Sequence, residues 1–172
     1  GIIENHDALR EEMRNAGYTI ASDTDSEVIA HLIHSYLDEA TDLRQAVTKT
    51  ISRLEGAYAL GVISQDHPDL LIGARSGSPL VVGVGMDEHF IASDQMALRQ
   101  VTDRFVYLEE GDVVELTSES YKVINGQGKV VDREVHQLED TDHLADKGDY
   151  RHFMQKEMFE QASVIADTLA GR

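Results

Sequence analysis

At Leu54-Glu55-Gly56-Ala57-Tyr58-Ala59-Leu60-Gly61-Val62-Ile63-Ser64 the chain changes from helical to strand periodicity. Before this segment, apolar residues recur every three or four positions, as they do on one face of an α-helix. After it, short β-like runs are separated by glycine, proline and asparagine, a pattern typical of strands joined by turns. Helices followed by a series of strands predict an α+β fold with largely antiparallel sheets.

The first third of the chain predicts three helices. Asn5 is expected to cap the first helix, and Gly17 is expected to end it. The second begins with a capping box, in which Thr24 accepts a hydrogen bond from the Glu27 backbone N–H and the Glu27 side chain reaches back. The third is expected to start at Thr41-Asp42. The predicted inward-facing residues are Leu9, Met13, Ala16, Val28, Ile29, Leu32, Ile33, Tyr36, Leu37, Leu43, Val47, Ile51 and Leu54.

The remainder of the main domain predicts short strands. The His67-Pro68-Asp69 and Ser76-Gly77-Ser78-Pro79 segments are expected to separate them, and a brief helix is expected to start at Ser93 or Asp94. Asn125-Gly126 predicts a hairpin between the last two runs, although Gly128 makes a longer loop possible. The predicted strands cover residues 57–64, 70–74, 80–84, 89–92, 105–108, 112–117, 121–124 and 129–135.

The C-terminal part has a different composition. Residues 137–150 are rich in aspartate and glutamate and predict a linker. Helical spacing then predicts an amphipathic helix whose apolar stripe needs a partner, either this domain, an absent second domain or another copy. One hypothesis is therefore a non-catalytic, acidic interaction module acting through this helix. Its apolar residues are Met154, Met158, Ala162, Ile165 and Leu169.

Composition limits the classes of function. The formal net charge of −17 argues against nucleic acid or an anionic membrane as a partner, since phosphates would be repelled. No apolar run approaches the ~20 residues that span a bilayer. The chain contains no cysteine, which excludes disulfides, thiolate zinc sites and cysteine catalysis within it and fits a cytoplasmic protein. Because residue 1 is glycine rather than methionine, we expect the start of the gene product to be missing.

A pair of histidines suggests another hypothesis, a metal-dependent hydrolase. His31 and His34 are one helical turn apart, near Asp38. No third ligand follows in register, and two histidines at this spacing are more often surface or core residues. We therefore expect no metal site.

Several segments, in order along nearly the whole chain, resemble the glucosamine-6-phosphate synthase family of class II glutamine amidotransferases. They are Gly1-Ile2-Ile3-Glu4-Asn5, Ser22-Asp23-Thr24-Asp25-Ser26-Glu27, Leu54-Glu55-Gly56-Ala57-Tyr58, Ala74-Arg75-Ser76-Gly77-Ser78-Pro79-Leu80, Phe90-Ile91-Ala92-Ser93-Asp94 and Tyr150-Arg151-His152-Phe153-Met154-Gln155-Lys156-Glu157.

The resemblance implies the fold and the reaction. The fold is the N-terminal nucleophile hydrolase type, an α/β/β/α sandwich of antiparallel sheets, here incomplete because N-terminal strands are missing. Residues 1–136 correspond to the later part of the glutaminase domain, 137–150 to the linker, and 151–172 to the first helix of the sugar isomerase domain. The complete enzyme, a homo-oligomer, hydrolyses glutamine, passes the ammonia to fructose-6-phosphate and isomerises the product to glucosamine-6-phosphate, with no cofactor expected.

The resemblance also implies site residues. Asp25 matches the residue that binds the α-ammonium of glutamine, and Gly1 matches the glycine whose backbone N–H contributes to the oxyanion hole and to substrate binding. The nucleophile is an N-terminal cysteine, which is absent from this chain, as is the companion asparagine of the oxyanion hole. We therefore expect this fragment to be inactive alone, and its unpaired strand edges to cause self-association or marginal stability.

Overall fold

The computed structural model describes residues 1–37, 42–138 and 148–169. The chain divides into two compact units, residues 1–138 and 139–172. Most of the predicted linker, residues 139–147, lies outside the described residues, as do Asp38 and Thr41.

Three helices precede the first long strand, as the apolar periodicity predicts. They are α1 (His6–Asn15), α2 (Asp25–Tyr36) and α3 (Leu43–Ile51). Thr24 caps α2 by accepting a hydrogen bond from Glu27 N, and Asp42 caps α3 by accepting one from Gln45 N. These bonds satisfy N–H groups that have no partner within the helix. The predicted core positions are buried or partly buried, except that Ala16 is exposed.

Asn5 lies at the N-cap of α1, but its side chain does not cap the helix, so that prediction is wrong. Asn5 Nδ2 instead donates to Arg53 O at 2.8 Å, and Asn5 Oδ1 accepts from Glu55 N at 3.1 Å. Backbone groups 48 and 50 residues away therefore compete successfully for this amide. The contact fastens the start of α1 to the segment that leads from α3 into the sheet.

The strands form two antiparallel sheets. They are β1 (Ile2–Ile3), β2 (Gly56–Ser64), β3 (His67–Ser76), β4 (Val81–Val84), β5 (His89–Ala92), β6 (Arg104–Tyr107), β7 (Val113–Leu116), β8 (Tyr121–Ile124), β9 (Val130–Val131) and β10 (Val135–Gln137). The six-stranded sheet has the order β1-β2-β3-β7-β8-β9, and the four-stranded sheet has the order β10-β6-β4-β5. The brief helix predicted to start at Ser93 or Asp94 forms as a 3₁₀ helix at Gln95–Ala97, with Asp94 as its N-cap.

Alternation of side chains along the strands builds the layers. Valines of β4 and β6, with Leu80 and Leu108 next to these strands, pack against valines and a leucine of β7 and β8, which joins the two sheets face to face. The other face of the six-stranded sheet packs against α2 and α3. On the outer face of the four-stranded sheet, Val81 and Phe105 pack with Leu98 and, at its edge, Leu138. The antiparallel sandwich expected from the sequence is thus confirmed, with one helical layer in residues 1–138 as described.

Two strand predictions need correction. His67 and Pro68 belong to β3 rather than to a break, because a register shift at Ile63 and Ser64 accommodates them next to the turn. The predicted run 129–135 divides between sheets, since β9 pairs with β8 while β10 pairs with β6. The hairpin between β8 and β9 forms as predicted, and Gly128 adopts φ +75° in its loop.

Strand β1 covers only the beginning of β2. Ile2 pairs with Ala57 and Ile3 pairs with Gly56. Along that edge, β2 has no further strand partner within the described residues, and Ile63 near its end is 80% exposed. An uncovered edge of this kind offers unpaired backbone groups to another strand.

The second unit contains α4 (Phe153–Leu169), in the position predicted from its spacing. Tyr150 stacks on Phe159 with ring centroids 5.6 Å apart. The apolar residues of α4 are largely exposed: Met154, Met158, Phe159, Val164, Ile165 and Leu169. None of the helices in the described part is long and apolar enough to cross a membrane.

Replacing Asn5 tests its contact with the segment before β2. Asn5→Ala is expected to lower the free energy of unfolding by about 2 kcal/mol, because each of two intramolecular hydrogen bonds contributes about 1 kcal/mol. Chemical denaturation measures the change. Asn15→Ala, at the exposed end of α1, is the matched control and should change the value by less than about 0.5 kcal/mol. Equal effects of the two substitutions would contradict the role given to Asn5.

Candidate functional site

A small cavity lies where β1, the start of α2 and the start of β2 meet. Its volume is about 160 Å³. It brings together Gly1 and Asp25, the two site residues predicted from the sequence, although they are 24 positions apart. The other lining residues are Ile3, Ser26, Ile29, Ala57, Tyr58, Ala59 and Leu60.

Gly1 lies against the backbone of β2. A Cβ atom built on Gly1 would be 1.9 Å from Ala57 O and 2.9 Å from Tyr58 Cα. Real Cβ atoms do not approach backbone atoms so closely, so only glycine fits here without moving β2. The requirement for glycine at this position is therefore steric, and it places the Gly1 backbone on the cavity wall.

Asp25 is the first residue of α2, and its carboxylate is fastened to β1. Asp25 Oδ2 accepts a hydrogen bond from Ile3 N at 3.1 Å. This N–H lowers the pKa of Asp25; burial opposes the effect, while the Ser26 backbone and hydroxyl add to it. The carboxylate is thus held ionised and half-buried at the cavity.

His6 completes the connection through the backbone of the same residue, Ile3. Its Nδ1 atom is 2.7 Å from Ile3 O. Because a carbonyl oxygen can only accept, His6 donates this hydrogen bond. Both polar groups of Ile3 are therefore engaged, one by Asp25 and one by the first residue of α1. The residue that holds the Asp25 carboxylate is therefore itself bound to α1.

Glu27 organises the loop that leads to Asp25. Its carboxylate accepts from Ala21 N and Ser22 N, each at 2.6 Å, and from the Ser22 hydroxyl. These donors, the Ala21 N–H first, lower the pKa of Glu27 to about 2. The predicted capping box is half formed, since Glu27 N donates to Thr24 but the carboxylate reaches past Thr24 to residues 21 and 22. The Glu27 carboxylate thus binds the backbone N–H groups of Ala21 and Ser22 instead of the Thr24 N–H that a capping box would use.

The Glu110 carboxylate binds the turn that packs on β2 next to the cavity. Glu110 accepts from Ser76 Oγ at 2.8 Å, from Gly77 N at 2.9 Å and from Arg75 Nη2 at 3.1 Å. A Cβ on Gly77 would be 2.8 Å from the Ala57 side chain, so this turn packs directly on the strand that Gly1 contacts. Burial, together with the charge of Glu110, raises the pKa of Tyr58.

Arg10 and Glu110 are not among the site residues that the sequence predicts. Arg10 is buried at 8% exposure, between Leu9 and Met13 on the inward face of α1. A charged residue inside an apolar helical stripe was a usable signal, because such a side chain needs buried partners. Glu110 carried no comparable signal, since its partners are 33 to 35 residues away.

A larger cavity of about 510 Å³ adjoins the first, between α2 and β2. Its walls are mainly apolar, with Ile29, Ile33, Leu60 and Val62 among them. Its described lining contains no carboxylate and no lysine or arginine. We place the candidate site in the smaller cavity, because charged and backbone polar groups converge there.

The two histidines of the metal hypothesis flank Tyr18. Tyr18 OH is 2.8 Å from His34 Nδ1, and the rings of Tyr18 and His31 are 5.0 Å apart between centroids. His31 Nε2 is 3.5 Å from Glu27 Oε1. The described residues contain no group of three or more histidine, cysteine, aspartate or glutamate side chains arranged to hold a metal ion.

Comparison with known proteins identifies the family to which this chain belongs. Residues 1–100 match the family described as glutamine amidotransferase domain, and the chain belongs to that family. The fold agrees. The glutamine phosphoribosylpyrophosphate amidotransferase from B. subtilis, solved with ADP and GMP, superimposes with a TM-score of 0.63 over 75% of this chain and 28% of its own, at 24% identity.

Closer relatives share one name, glutamine–fructose-6-phosphate aminotransferase (isomerizing). The protein of Pseudomonas syringae pv. tomato is 55% identical over all 172 residues, and that of Escherichia coli K12 is 51% identical over the same span. The chain spans 28% of the length of these curated relatives. The similarity therefore covers one part of much longer proteins.

The acid stability of the chain should depend on Glu27. Its pKa is about 2 in the folded protein, against an ordinary 4.5. A carboxyl whose pKa is depressed by folding stabilises the fold above its unfolded pKa, and that contribution is lost as the pH falls through the folded value. Glu27→Gln is therefore expected to reduce the melting temperature above pH 4.5, by an amount that shrinks as the pH falls toward 2.

Thermal unfolding of both proteins across this pH range measures the effect. Glu11→Gln is the control, because it removes an exposed carboxylate whose nearest contact to Arg14 is 3.7 Å. It should change the melting temperature little at any pH. A difference between wild type and Glu27→Gln that is constant with pH would show that the carboxylate charge does not act as described.

Proposed function

We propose that this chain supplies part of the glutamine site of a glutamine-dependent amidotransferase that forms glucosamine-6-phosphate. The observation that carries the proposal is the ionised Asp25 carboxylate, held beside the Gly1 backbone on one cavity. The family membership of residues 1–100 supports glutamine as the substrate. The names of the 55% and 51% identical relatives support fructose-6-phosphate as the acceptor in the longer protein.

Asp25 would recognise the α-ammonium group of glutamine. A carboxylate offers about four acceptor directions, and Ile3 N and Ser26 occupy only part of them. An ammonium ion facing the remaining oxygen lone pairs would form charge-assisted hydrogen bonds. An analogue without the amino group would leave the Asp25 carboxylate unpaired. The site would therefore select an amino acid over a simple amide.

Gly1 would lie at the reacting end of the substrate. In amide hydrolysis a negative charge develops on the carbonyl oxygen, and a backbone N–H directed at that oxygen stabilises it. Because Gly1 has no Cβ, it packs on Ala57 and Tyr58 and still lines the cavity. Its role as an oxyanion donor rests on the family resemblance and on this placement.

The nucleophile would come from outside these 172 residues. The resembled family uses an N-terminal cysteine whose own amino group acts as base, and this chain has no cysteine. We therefore assign glutamine hydrolysis and amination of fructose-6-phosphate to the longer protein. The chain alone would retain the recognition carboxylate without the attacking group.

The C-terminal unit would belong to the next domain. Its exposed apolar residues on α4, including Met154 and Met158, need a covering surface. The relatives are long enough to supply one, since this chain spans 28% of their length. We propose that residues 137–150 link the glutaminase part, 1–136, to an isomerase domain beginning with 151–172, and that the longer protein is a cytoplasmic homo-oligomer.

Substitution of Asp25 in the longer protein tests the recognition role. Asp25→Asn is expected to raise KM for glutamine at least tenfold, because a charge-assisted hydrogen bond is replaced by a neutral contact. Ammonia release at varied glutamine concentration measures KM. Asp66→Asn, in the exposed turn between β2 and β3, is the matched control and should leave KM unchanged. An unchanged KM in Asp25→Asn would refute the assignment.

The 172-residue chain itself should release no ammonia from glutamine above a blank. Loss of a nucleophile lowers turnover on the order of 10⁶-fold, which places any residual rate below detection. A coupled ammonia assay measures this, with the longer protein as the positive control. Turnover by a preparation free of longer protein would contradict the proposal that the nucleophile lies elsewhere.

A further inference from the structure

Arg10 connects α1 to the two residues that immediately precede Asp25. Its Nη2 atom donates to Asp23 O at 2.8 Å and also approaches Thr24 O at 3.4 Å. Its Nη1 atom donates to Asp7 Oδ1 at 2.6 Å. The side chain is 10% exposed, whereas that of Asp7 is 82% exposed. A single guanidinium therefore links a surface carboxylate to the backbone at the start of α2.

Burial makes this contact specific. Arg10 Nε has no hydrogen-bond partner among the described residues, so Nη1 and Nη2 carry the pairing of this buried charge. Moving the side chain would leave them unpaired as well, which is costly, so Arg10 has few alternative positions once α1 has packed. Its backbone acceptors belong to the N-cap residue of α2 and the residue before it. These residues set where α2 begins and in which direction its first side chain points. That first side chain is Asp25.

Two contacts next to Asp25 then define its position, one on its carboxylate and one on the backbone that precedes it. Ile3 N holds the carboxylate from β1, and Arg10 holds the preceding backbone from α1. The Glu27 carboxylate holds residues 21 and 22 further back in the same loop. Of these, the bond from Ile3 acts on the carboxylate directly, while Arg10 acts through the backbone.

We propose that Arg10 is a positioning residue for substrate recognition by Asp25. The proposal rests on the proposed function, because it assumes that Asp25 binds the α-ammonium of glutamine. The hydrogen bonds of Arg10 go to Asp7, Asp23 and Thr24, none of which lines the cavity. Arg10 sets the carboxylate at the distance and angle that the ammonium requires. Misplacing such a group by about 1 Å can lower the reaction rate about 10²-fold.

The chemistry of the side chain explains why arginine is suited to this place. A guanidinium is a planar fork whose nitrogens donate in fixed, divergent directions, so it can bridge Asp7 and the 23–24 backbone together. A lysine ammonium keeps the charge but is a single donor centre on a flexible stem. Arg10→Lys should therefore retain α1 while loosening the start of α2.

The test compares two substrates in the longer protein. One is glutamine, and the other is 4-carbamoylbutanoate, which is glutamine without its α-amino group. Arg10→Lys is expected to raise KM for glutamine about tenfold, with kcat changed less than about twofold. It should leave kcat/KM for 4-carbamoylbutanoate unchanged, since that substrate has no ammonium to lose. Arg14→Lys, on the same helix but with its side chain 53% exposed, is the matched control.

Combination with Asp25→Asn separates positioning from general damage. Once the carboxylate is removed, Arg10→Lys should add no further loss for glutamine. Asp7→Asn provides a second, milder variant, because it weakens the outer end of the bridge at an exposed position. It should raise KM for glutamine by about threefold, which keeps the proposal testable if Arg10→Lys does not fold.

Three results would overturn the inference. Equal losses on both substrates would show that Arg10 only supports the fold. A normal KM in both Arg10→Lys and Asp7→Asn would show that the bridge does not control Asp25. An additive loss in the double variant would show that Arg10 acts elsewhere. If Asp25→Asn itself leaves KM unchanged, the proposed function fails first, and that outcome is distinct from the other three.

Discussion

The hydrogen bond from Ile3 N to the Asp25 carboxylate joins the sheet to the helical layer at the candidate site. It links a two-residue strand to the first residue of α2, which are separated by 22 positions. The bond adds to the two residue pairs that join β1 to β2 and to the contact of Ser26 with the Asp25 carboxylate. With the bond formed, Gly1, Asp25 and the start of β2 line the same cavity.

This bond also explains why Asp25 stays ionised in a protein with a large excess of acidic residues. A net charge of −17 disfavours every further carboxylate on average. Surface charges more than about 8 to 10 Å away are, however, largely screened at physiological salt. Donors in direct contact, Ile3 N–H and the Ser26 groups, therefore decide the ionisation of Asp25. The position of Asp25 in the first turn of α2 acts in the same direction, through the helix dipole.

The sequence predicts those features that depend on neighbours in the chain. The caps at Thr24 and Asp42, the hairpin at Asn125-Gly126 and most strands follow from spacing of a few residues. Contacts over long separations were missed or misread. Asn5 was expected to cap its own helix but binds residues 53 and 55. The 129–135 run was treated as one strand, since no local signal says that its two ends join different sheets.

The lining of the cavity indicates how much of a glutamine site these residues can supply. Glutamine carries an ammonium and a carboxylate, and each loses water on binding. Among the described residues around the cavity, Asp25 is the one ionised side chain, and no lysine, arginine or histidine accompanies it. The substrate carboxylate would therefore be desolvated without a cation, which opposes binding by more than one ammonium contact returns. Under the proposed function, recognition of the substrate carboxylate and attack on the amide would both draw on groups outside this lining.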